Sequence, residues 1–551
     1  MKFSCIPFTL LFWLATLNSC KNDSIAPPSG AKNVTLLNVS IDGRVSGYNY
    51  AGTSVNPQIV LSFSEPIDHT SAQNSLLFAG GTIPVSILFS HHDSTLTVKP
   101  VNALKYLTAY NLQILPQLKS TTQKLLGGGV SGIIIHLITG VDPSPKFPTI
   151  TDSALVDLVQ QQTLKYFYDF AHPNSGLARE RNTSGDVVTT GGSGFGVMGI
   201  IAGIHRGFIS RTSGMTLFNK IVSFLETADR FHGAWPHWIN GNTGHVVPFS
   251  PNDDGADIVE TSYMIHGLLT LRQYLTSADT TGNNLINRIT NLYNGVEWDW
   301  FQKSPPQNVL YWNWSPNSGF AVNVAVQGYN ETLITYFLAS GSSTHPITAS
   351  VYQQGWARNK AILNGKTFYG HLLPLGDDYG GPLFFTQYSF LGLNPHVTDP
   401  YLNVNFWTQN VNQSLINHDY CVANPHNFVG YSDSCWGLTA SDIPSGYGAQ
   451  SPTNDNGTIS PTGAISSMPY TPAESMKAIK YFYYTLGDRM WGPYGFYDAF
   501  NVTDGWTATS TLAIDQGPII VMIENYRTQL FWNLFMSAPE VQAAKTILGF
   551  Y

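Results

Sequence analysis

Apolar and polar residues follow two different rhythms along this chain, and the change falls near residue 145. From about Lys32 to Gly140 the runs are short and alternating: Val34 to Ile41, Gln58 to Phe63, Ser75 to Phe78, Thr82 to Leu88, Thr95 to Val98, Tyr110 to Ile114 and Gly132 to Leu137, punctuated by Gly, Asn, Asp and Ser. Alternation with a period of two marks strands with one buried face, and this many short strands predict a small β-sandwich. After the proline-rich Val141 to Pro148 the period becomes helical. Helices are predicted at Leu155 to Ala171, Gly194 to Gly207, Ser213 to Asp229, Asp257 to Ser277, Asn283 to Glu297 and Glu331 to Leu338. Further ones are Ser350 to Leu363, Leu383 to Leu391, Leu402 to Asn417, Gly463 to Ser467, Pro472 to Leu486 and Ile514 to Met536. About a dozen helices predict a mainly α fold, an (α/α)6 toroid behind the β-sandwich, although no sequence repeat supports the number. A helical solenoid is the alternative and should show a period.

The start reads as an export signal: Lys2, an apolar Phe8 to Leu17 core, then Leu17-Asn-Ser-Cys20. Those four residues resemble a bacterial lipobox, which implies a signal over 1–19 and an acylated Cys20 opening a tether over 20–31. The sandwich is assigned to 32–140, a linker to 141–150 and the helical domain to 151–551. The apolar core is too short to span a bilayer, so the expectation is a body outside the cytoplasm, held to the cell envelope by lipid alone. Phe63-Ser-Glu-Pro-Ile-Asp68, Leu96-Thr-Val-Lys-Pro100 and the run from Tyr110 resemble bacterial Ig-like domains, which implies a spacer, with carbohydrate binding as the alternative role.

A net charge of −8 offers no basic face for nucleic acid, and 11% charged against 43% hydrophobic residues agrees with an exported globular protein. Of four cysteines, Cys5 leaves with the signal and Cys20 carries lipid, so Cys421 and Cys435 remain, either as a disulfide or as two buried thiols. No metal spacing or P-loop is present, so no cofactor or metal is expected. Gly191-Gly-Ser-Gly-Phe-Gly196 has neither the preceding strand nor the lysine of a phosphate loop, and reads as close helix packing. Gly192-Ser193-Gly194 lacks the spacing of a nucleophile elbow.

The chemistry concentrates in Pro248 to Thr261, where Asp253, Asp254, Asp257 and Glu260 fall within eight residues. Asn252, Asp253 or Asp254 is expected to cap a helix that carries Asp257 and Glu260 on one face. Acids capping a helix start are the structural alternative. Aromatic loops surround this stretch in the sequence, with His232, Trp235, Trp238, Trp312, Trp314, Tyr329 and Trp436 beside Asn, Asp and Arg. Rings cover the apolar face of a pyranose while polar groups hold its hydroxyls. Glu331 is a candidate acid, Asp515 starts the last long helix, and Glu524 is expected to be a buried partner of Arg527. Carboxylates among aromatics are the equipment of glycoside hydrolysis.

Leu164-Lys-Tyr-Phe-Tyr-Asp-Phe-Ala171, Gly176 to Arg181, Thr189 to Gly196 and Ala228 to Gly233 resemble the glucoamylase-like domains now grouped as glycoside hydrolase family 144. So do Asp253 to Thr261, Val296-Glu-Trp-Asp-Trp300, Gly328-Tyr-Asn-Glu331, Asp378 to Phe384 and Ala513-Ile-Asp-Gln-Gly-Pro518. The resemblance implies an (α/α)6 barrel that cleaves β-1,2-glucan with inversion and without a metal. By it, Asp257, Glu260 and Glu331 are cleft acids, Glu331 the general acid and Asp515 the base, while Arg179, Arg181, His232, Trp235 and Trp238 contact sugar. Asp253, Asp254, Trp312, Trp314, Tyr329 and Trp436 complete the expected substrate-binding set. The expectation is an endo-acting, monomeric enzyme. An exo-acting sophorose-releasing or transglycosylating relative, a non-catalytic glycan-binding lipoprotein and a polysaccharide lyase are the alternatives.

Overall fold

The computed structural model describes residues 33–127, 132–275 and 280–551. The signal, the tether and Cys20 lie outside the described residues. The described chain divides into two compact units, one holding residues of 33–49, 56–103 and 110–136, the other those of 50–55, 104–109 and 137–551.

The strands of the N-terminal region are β1 (Leu36–Ile41), β2 (Asn49–Thr53), β3 (Ile59–Phe63), β4 (Leu76–Phe78), β5 (Val85–Ser90), β6 (Thr95–Pro100), β7 (Ala109–Ile114) and β8 (Ile133–Thr139), with a short helix α1 (His69–Ser75) before β4. They form two four-stranded sheets, in the orders β1-β3-β6-β5 and β2-β8-β7-β4. Alternation sets the buried face: Ile59, Leu61 and Phe63 of β3 point inward together with Leu96 and Val98 of β6, their antiparallel neighbour. Asp68 caps α1 by accepting from the Ser71 amide at 2.8 Å. The strand β2, Asn-Tyr-Ala-Gly-Thr, has no apolar alternation, and no predicted run covers it.

The second unit is mostly helical. Its first helices are α2 (Asp152–Tyr168), α3 (Thr190–His205), α4 (Arg211–Leu225), α5 (Ile258–Tyr274), α6 (Thr280–Asn294), α7 (Leu333–Ser340) and α8 (Ala349–Gln354). Then come α9 (Phe406–Ala423), α10 (Pro461–Ile465), α11 (Pro472–Lys480), α12 (Gly487–Met490), α13 (Ala513–Thr528), α14 (Leu530–Met536) and α15 (Pro539–Leu548). Short strands shape the loops between them, among them β9 (Val187–Thr189), β10 (Trp238–Asn240), β11 (Val246–Val247), β12 (Ala256–Asp257), β13 (Leu310–Tyr311) and β14 (Asn313–Trp314). Among the described residues no helix is long and apolar enough to cross a membrane.

Glycine decides how the central helices meet. A Cβ on Gly194 of α3 would stand 2.2 Å from the Tyr263 carbonyl oxygen of α5, and one on Gly267 would stand 2.1 Å from the Gly194 carbonyl oxygen. The two backbones therefore touch, which only glycine permits. On its other side α3 meets α13, where a Cβ on Gly192 would lie 2.7 Å from the Ala513 Cβ and one on Gly517 2.4 Å from the Phe195 Cβ. Contacts advance in the same direction along each pair, so α3, α5 and α13 run parallel. The helix α7 joins them through Ser262 and Thr335, whose hydroxyls are 2.8 Å apart. By contrast, α2 runs antiparallel to α3, with Phe167 against Gly196 and Leu164 against Gly203. Gly191 to Gly196 is thus a packing surface, as its lack of phosphate-loop features implies.

Several predicted helices are cut or displaced. Ser350 to Leu363 stops at Gln354, where Gly355 presses against the Tyr336 hydroxyl and Asn359 takes a φ of 52°. Leu383 to Leu391 is two 3-10 turns, and Leu402 to Asn417 begins only at Phe406 because Asn405 caps it. Pro472 to Leu486 passes into a π-turn at Tyr481–Thr485, and Ile514 to Met536 breaks at Gln529, whose φ of 58° ends α13. No predicted helix covers α15. Cys421 and Cys435 are both buried free thiols.

Substituting Gly194 or Gly267 by Ala forces one backbone off the other. Each is expected to cost at least about 1–3 kcal/mol, seen as a lower denaturation midpoint.

Candidate active site

The first turns of these parallel helices carry the acids. The chain enters α5 through β12, paired with β14 so that Asp257 lies opposite Asn313 and Ala256 opposite Trp314. Its extended backbone at Asp257 frees the side chain to cap the helix: Oδ1 accepts from the Val259 and Glu260 amides at 3.0 and 2.9 Å. Asp257, and not Asn252, Asp253 or Asp254, is therefore the N-cap, because only it precedes the first helical residue. Its Oδ2 faces the His237 Nδ1 at 3.0 Å and accepts from the Trp312 Nε1 at 3.2 Å. Both oxygens of a fully buried carboxylate are thereby used.

Glu260, three residues on, reaches across to α3. Its Oε2 accepts from the Gly191 amide at 2.7 Å, one of the free N–H groups of that helix start. A side chain at 191 would occupy this space, since its Cβ would lie 2.5 Å from the same oxygen. Burial, then the Asp257 charge, push the Glu260 carboxyl above the usual range, against His237 and the Gly191 amide. Burial alone would lower His237, but the charges of Glu260 and Asp257 and the hydrogen bond to Asp257 lift it to about 9.

Glu331 sits in the turn two residues before α7, not on the helix itself, where Gly328, Tyr329 and Asn330 lead into it. It is partly exposed, and its carbonyl oxygen accepts from the Ser389 hydroxyl. Burial of the carboxyl, with the Glu260 charge adding, raises it to about 7. The Tyr263 hydroxyl, buried without a hydrogen-bond partner, feels the charges of Glu331, Glu260 and Asp257.

Asp515 lies in the first turn of α13 and is almost fully buried. The Tyr388 hydroxyl donates to its Oδ1 at 3.3 Å, and Tyr388 also feels the Glu331 charge. Burial, then Asp498, hold Asp515 well above the carboxylate range. Next to it an open cavity of about 450 Å³ is lined by Arg181, Asp442, Tyr447, Trp506 and Ser510. Arg181 is held there by Glu180 at 2.9 Å and Asp442 at 3.3 Å.

The remaining predicted residues separate into two groups. Trp314 and His232 pack edge to face at 4.6 Å, and His232 stacks on the half-exposed Trp300 at 3.7 Å, its Nδ1 at 2.9 Å from Glu297. Trp238 packs against the exposed Phe249 at 4.8 Å. Asp253, which accepts from Asn313 at 2.9 Å, is raised to about 6 by burial and the Asp257 charge. Asp254 is lowered by hydrogen bonds from Ser315 and Asn317, the latter at 2.6 Å.

Other positions are structural, against expectation. Trp235 and Trp436 are wholly buried, with their Nε1 atoms spent on the Leu225 and Glu474 carbonyls, and Tyr329 is buried with its hydroxyl on Gln413 at 2.7 Å. None of the three presents a ring face to a ligand. Arg179 gives its donors to the Gly185 and Phe170 carbonyls and stacks on Phe170 at 4.5 Å. Glu524 pairs with Arg206 at 2.7 Å, while Arg527 turns to Asp157. His237, Tyr263, Tyr388, Asp442 and Asp498 were not predicted as site residues. The signal that could have found the two aspartates is a lone acid inside a Tyr- and Trp-rich loop.

A family model described as "Putative glucoamylase" matches residues 323–539, and one described as "Bacterial Ig-like domain" matches residues 23–131. The crystallised endo-β-1,2-glucanase of Chitinophaga pinensis, in complex with sophorotriose and glucose, is 49% identical, with 73% of this chain and 99% of that chain covered and a TM-score of 0.71. A β-1,2-glucanase structure from Parabacteroides distasonis is 36% identical over 96% of this chain and 74% of that one, also with a TM-score of 0.71. An exo β-1,2-glucooligosaccharide sophorohydrolase (non-reducing end) of Parabacteroides distasonis is 47% identical over 416 residues, 71% of this chain and 57% of that protein. The chain thus spans a little over half the length of this curated relative. Fold, site and matches define a glucoamylase-like helical protein with an N-terminal bacterial Ig-like domain. Within that class, the chain belongs to the family of the β-1,2-glucanase structures, glycoside hydrolase family 144.

His237 is expected to titrate near 9 by NMR, and Asp257→Asn to bring it down toward 6.5. Its folded value lies above the unfolded one, so its stabilising contribution is complete below about 6.5 and is lost as pH rises through about 9.

Proposed function

We propose that this protein is an inverting glycosidase acting on β-1,2-glucan, built as an (α/α)6 toroid whose inner helices direct their first turns, and the acids on them, at the substrate. The parallel course of α3, α5 and α13, with α2 antiparallel to α3, supports that arrangement. The observation that carries the chemistry is Glu331, a partly exposed carboxyl raised to about 7 by burial and the Glu260 charge, so that it holds a proton near neutrality.

Glu331 donates its proton to the glycosidic oxygen as the bond to the anomeric carbon lengthens. A water on the opposite face of the ring loses a proton toward Asp515 and bonds to that carbon, which inverts its configuration. The Glu260 charge favours the protonated form of Glu331, and Glu260 with Asp257 binds His237 as a counter-charge. Arg181, Asp442 and Trp506 hold sugar in the cavity beside Asp515, and Trp314 with His232 and Trp300 supplies an aromatic surface. Internal cleavage is the first reading, in line with the endo-acting relative. The sophorohydrolase likeness favours a second, release of disaccharide from the non-reducing end. We place the protein outside the cytoplasm as a monomer, lipidated at Cys20, with the Ig-like domain as spacer.

The test is product analysis with linear β-1,2-glucan. Wild type is expected to give short oligosaccharides, a mixed ladder for endo action or sophorose alone for exo action, and Glu331→Gln to lower kcat/KM by about 10²–10⁴-fold. Because the acid works protonated, the rate is expected to fall as pH rises through about 7. An unaltered rate in the variant would remove Glu331 from the mechanism, and intact glucan that is nevertheless bound would leave a binding protein.

A further inference from the structure

We propose that Asp498 is a positioning residue for Asp515, the two carboxyls holding a single proton between them. The proposal rests on the reading of Asp515 as the base. Asp498 lies in the loop after Phe496 and is 2% exposed, and Asp515 on α13 is 1% exposed. Their main chains are held together by α10 and its cap: the Ser460 hydroxyl donates to the Asp498 carbonyl oxygen and the Thr462 hydroxyl to the Asp515 carbonyl oxygen, both at 2.6 Å, while the Gln516 Nε2 donates to the Phe496 carbonyl at 3.0 Å. After burial, Asp498 is the strongest influence on Asp515. One carboxyl oxygen of each is satisfied: the Asp442 amide donates to the Asp498 Oδ2 at 2.6 Å, and the Tyr388 hydroxyl donates to the Asp515 Oδ1 at 3.3 Å. The other two oxygens, Asp498 Oδ1 and Asp515 Oδ2, are buried and meet no donor.

Two ionised carboxylates can only accept, so a contact between them without a proton leaves both oxygens unsatisfied and sets two like charges together in a dry site. One proton removes both costs. The groups facing the pair are consistent with a single negative charge. Asp442 adds a carboxylate but is tied to Arg181, Glu180 is tied to the same guanidinium, and the hydroxyls of Tyr388 and Tyr447 lie close by. Burial is the largest influence on both members and raises both. The pair thus titrates as one unit.

In the reaction the singly charged pair takes the proton of the attacking water and becomes neutral. The water oxygen bonds to the anomeric carbon, the electrons of the broken bond pass to the leaving oxygen, and that oxygen receives the Glu331 proton. Exchange with solvent returns a proton to Glu331 and removes one from the pair. Asp498 touches neither water nor sugar in this scheme. It sets the charge and the direction of Asp515, and Arg181 and Asp442 carry that setting to the wall of the cavity.

Infrared difference spectroscopy on the whole chain tests this at about pH 8, where ordinary carboxyls are ionised. Wild type is expected to show a protonated-carboxyl C=O band that is absent from both Asp498→Asn and Asp515→Asn, since either amide donates where the proton stood and leaves the remaining carboxyl charged. On β-1,2-glucan, Asp498→Asn is expected to keep KM, to lower kcat by no more than about tenfold, and to lose the high-pH ionisation of the pair from its profile, whereas Asp515→Asn loses turnover. A band that persists in Asp498→Asn, or is missing from wild type, overturns the proposal. Loss of the band in a protein that leaves the glucan uncut supports the shared proton and overturns the reading of Asp515 as a glycosidase base.

Discussion

The backbones of α3 and α5 meet at Gly194 and Gly267 closely enough that a methyl group on either would overlap a carbonyl of the other helix, and that contact fixes where Glu260 lies. With the helices at this separation, the glutamate on one reaches the free amide at the start of the next. Gly192 and Gly517 impose the same closeness on α3 and α13, which brings Asp515 to the same end. Side chains are most often pictured as setting a site, yet here four positions without one decide which acids come together. The cost of glycine inside a helix, about 0.5–1 kcal/mol each relative to Ala, is accepted in exchange for the close approach.

So much buried negative charge survives because each acid has a different means of support. Asp257 uses two amides of its own helix and an indole, Glu260 an amide of the neighbouring helix, and both share His237. Glu331 has a raised proton affinity instead, and Asp442 an arginine. Helix starts favour anions and burial disfavours them, and the balance differs from residue to residue.

The two-domain character, the strand-rich start and most of the helices were legible from periodicity, because one buried face leaves a pattern of two or 3.6. Where a helix would stop was less so. Gln529 and Asn359 take left-handed conformations that the local sequence does not demand. In the site, the cluster from Asp253 to Glu260 and the acids Glu331 and Asp515 stood out by density and by family resemblance. The roles of the rings did not. Trp235, Trp436 and Trp314 sit in similar loop compositions, and only the fold decides that two are core and the third is partly exposed. Asp442 and Asp498 escaped notice because each is a solitary acid whose partner lies far away in sequence.

The acids Asp257, Glu260, Glu331 and Asp515 stand on helix starts or immediately before them, whereas Trp300, Trp314, Tyr447 and Trp506 belong to the short hairpins and turns that join helices. A loop tolerates insertion and exchange far better than a helix whose neighbour touches its backbone. The scaffold therefore separates positions fixed by close packing from positions free to change: the joining turns can be lengthened or exchanged, and the shape of the cavity wall altered, without moving the acids at the helix starts.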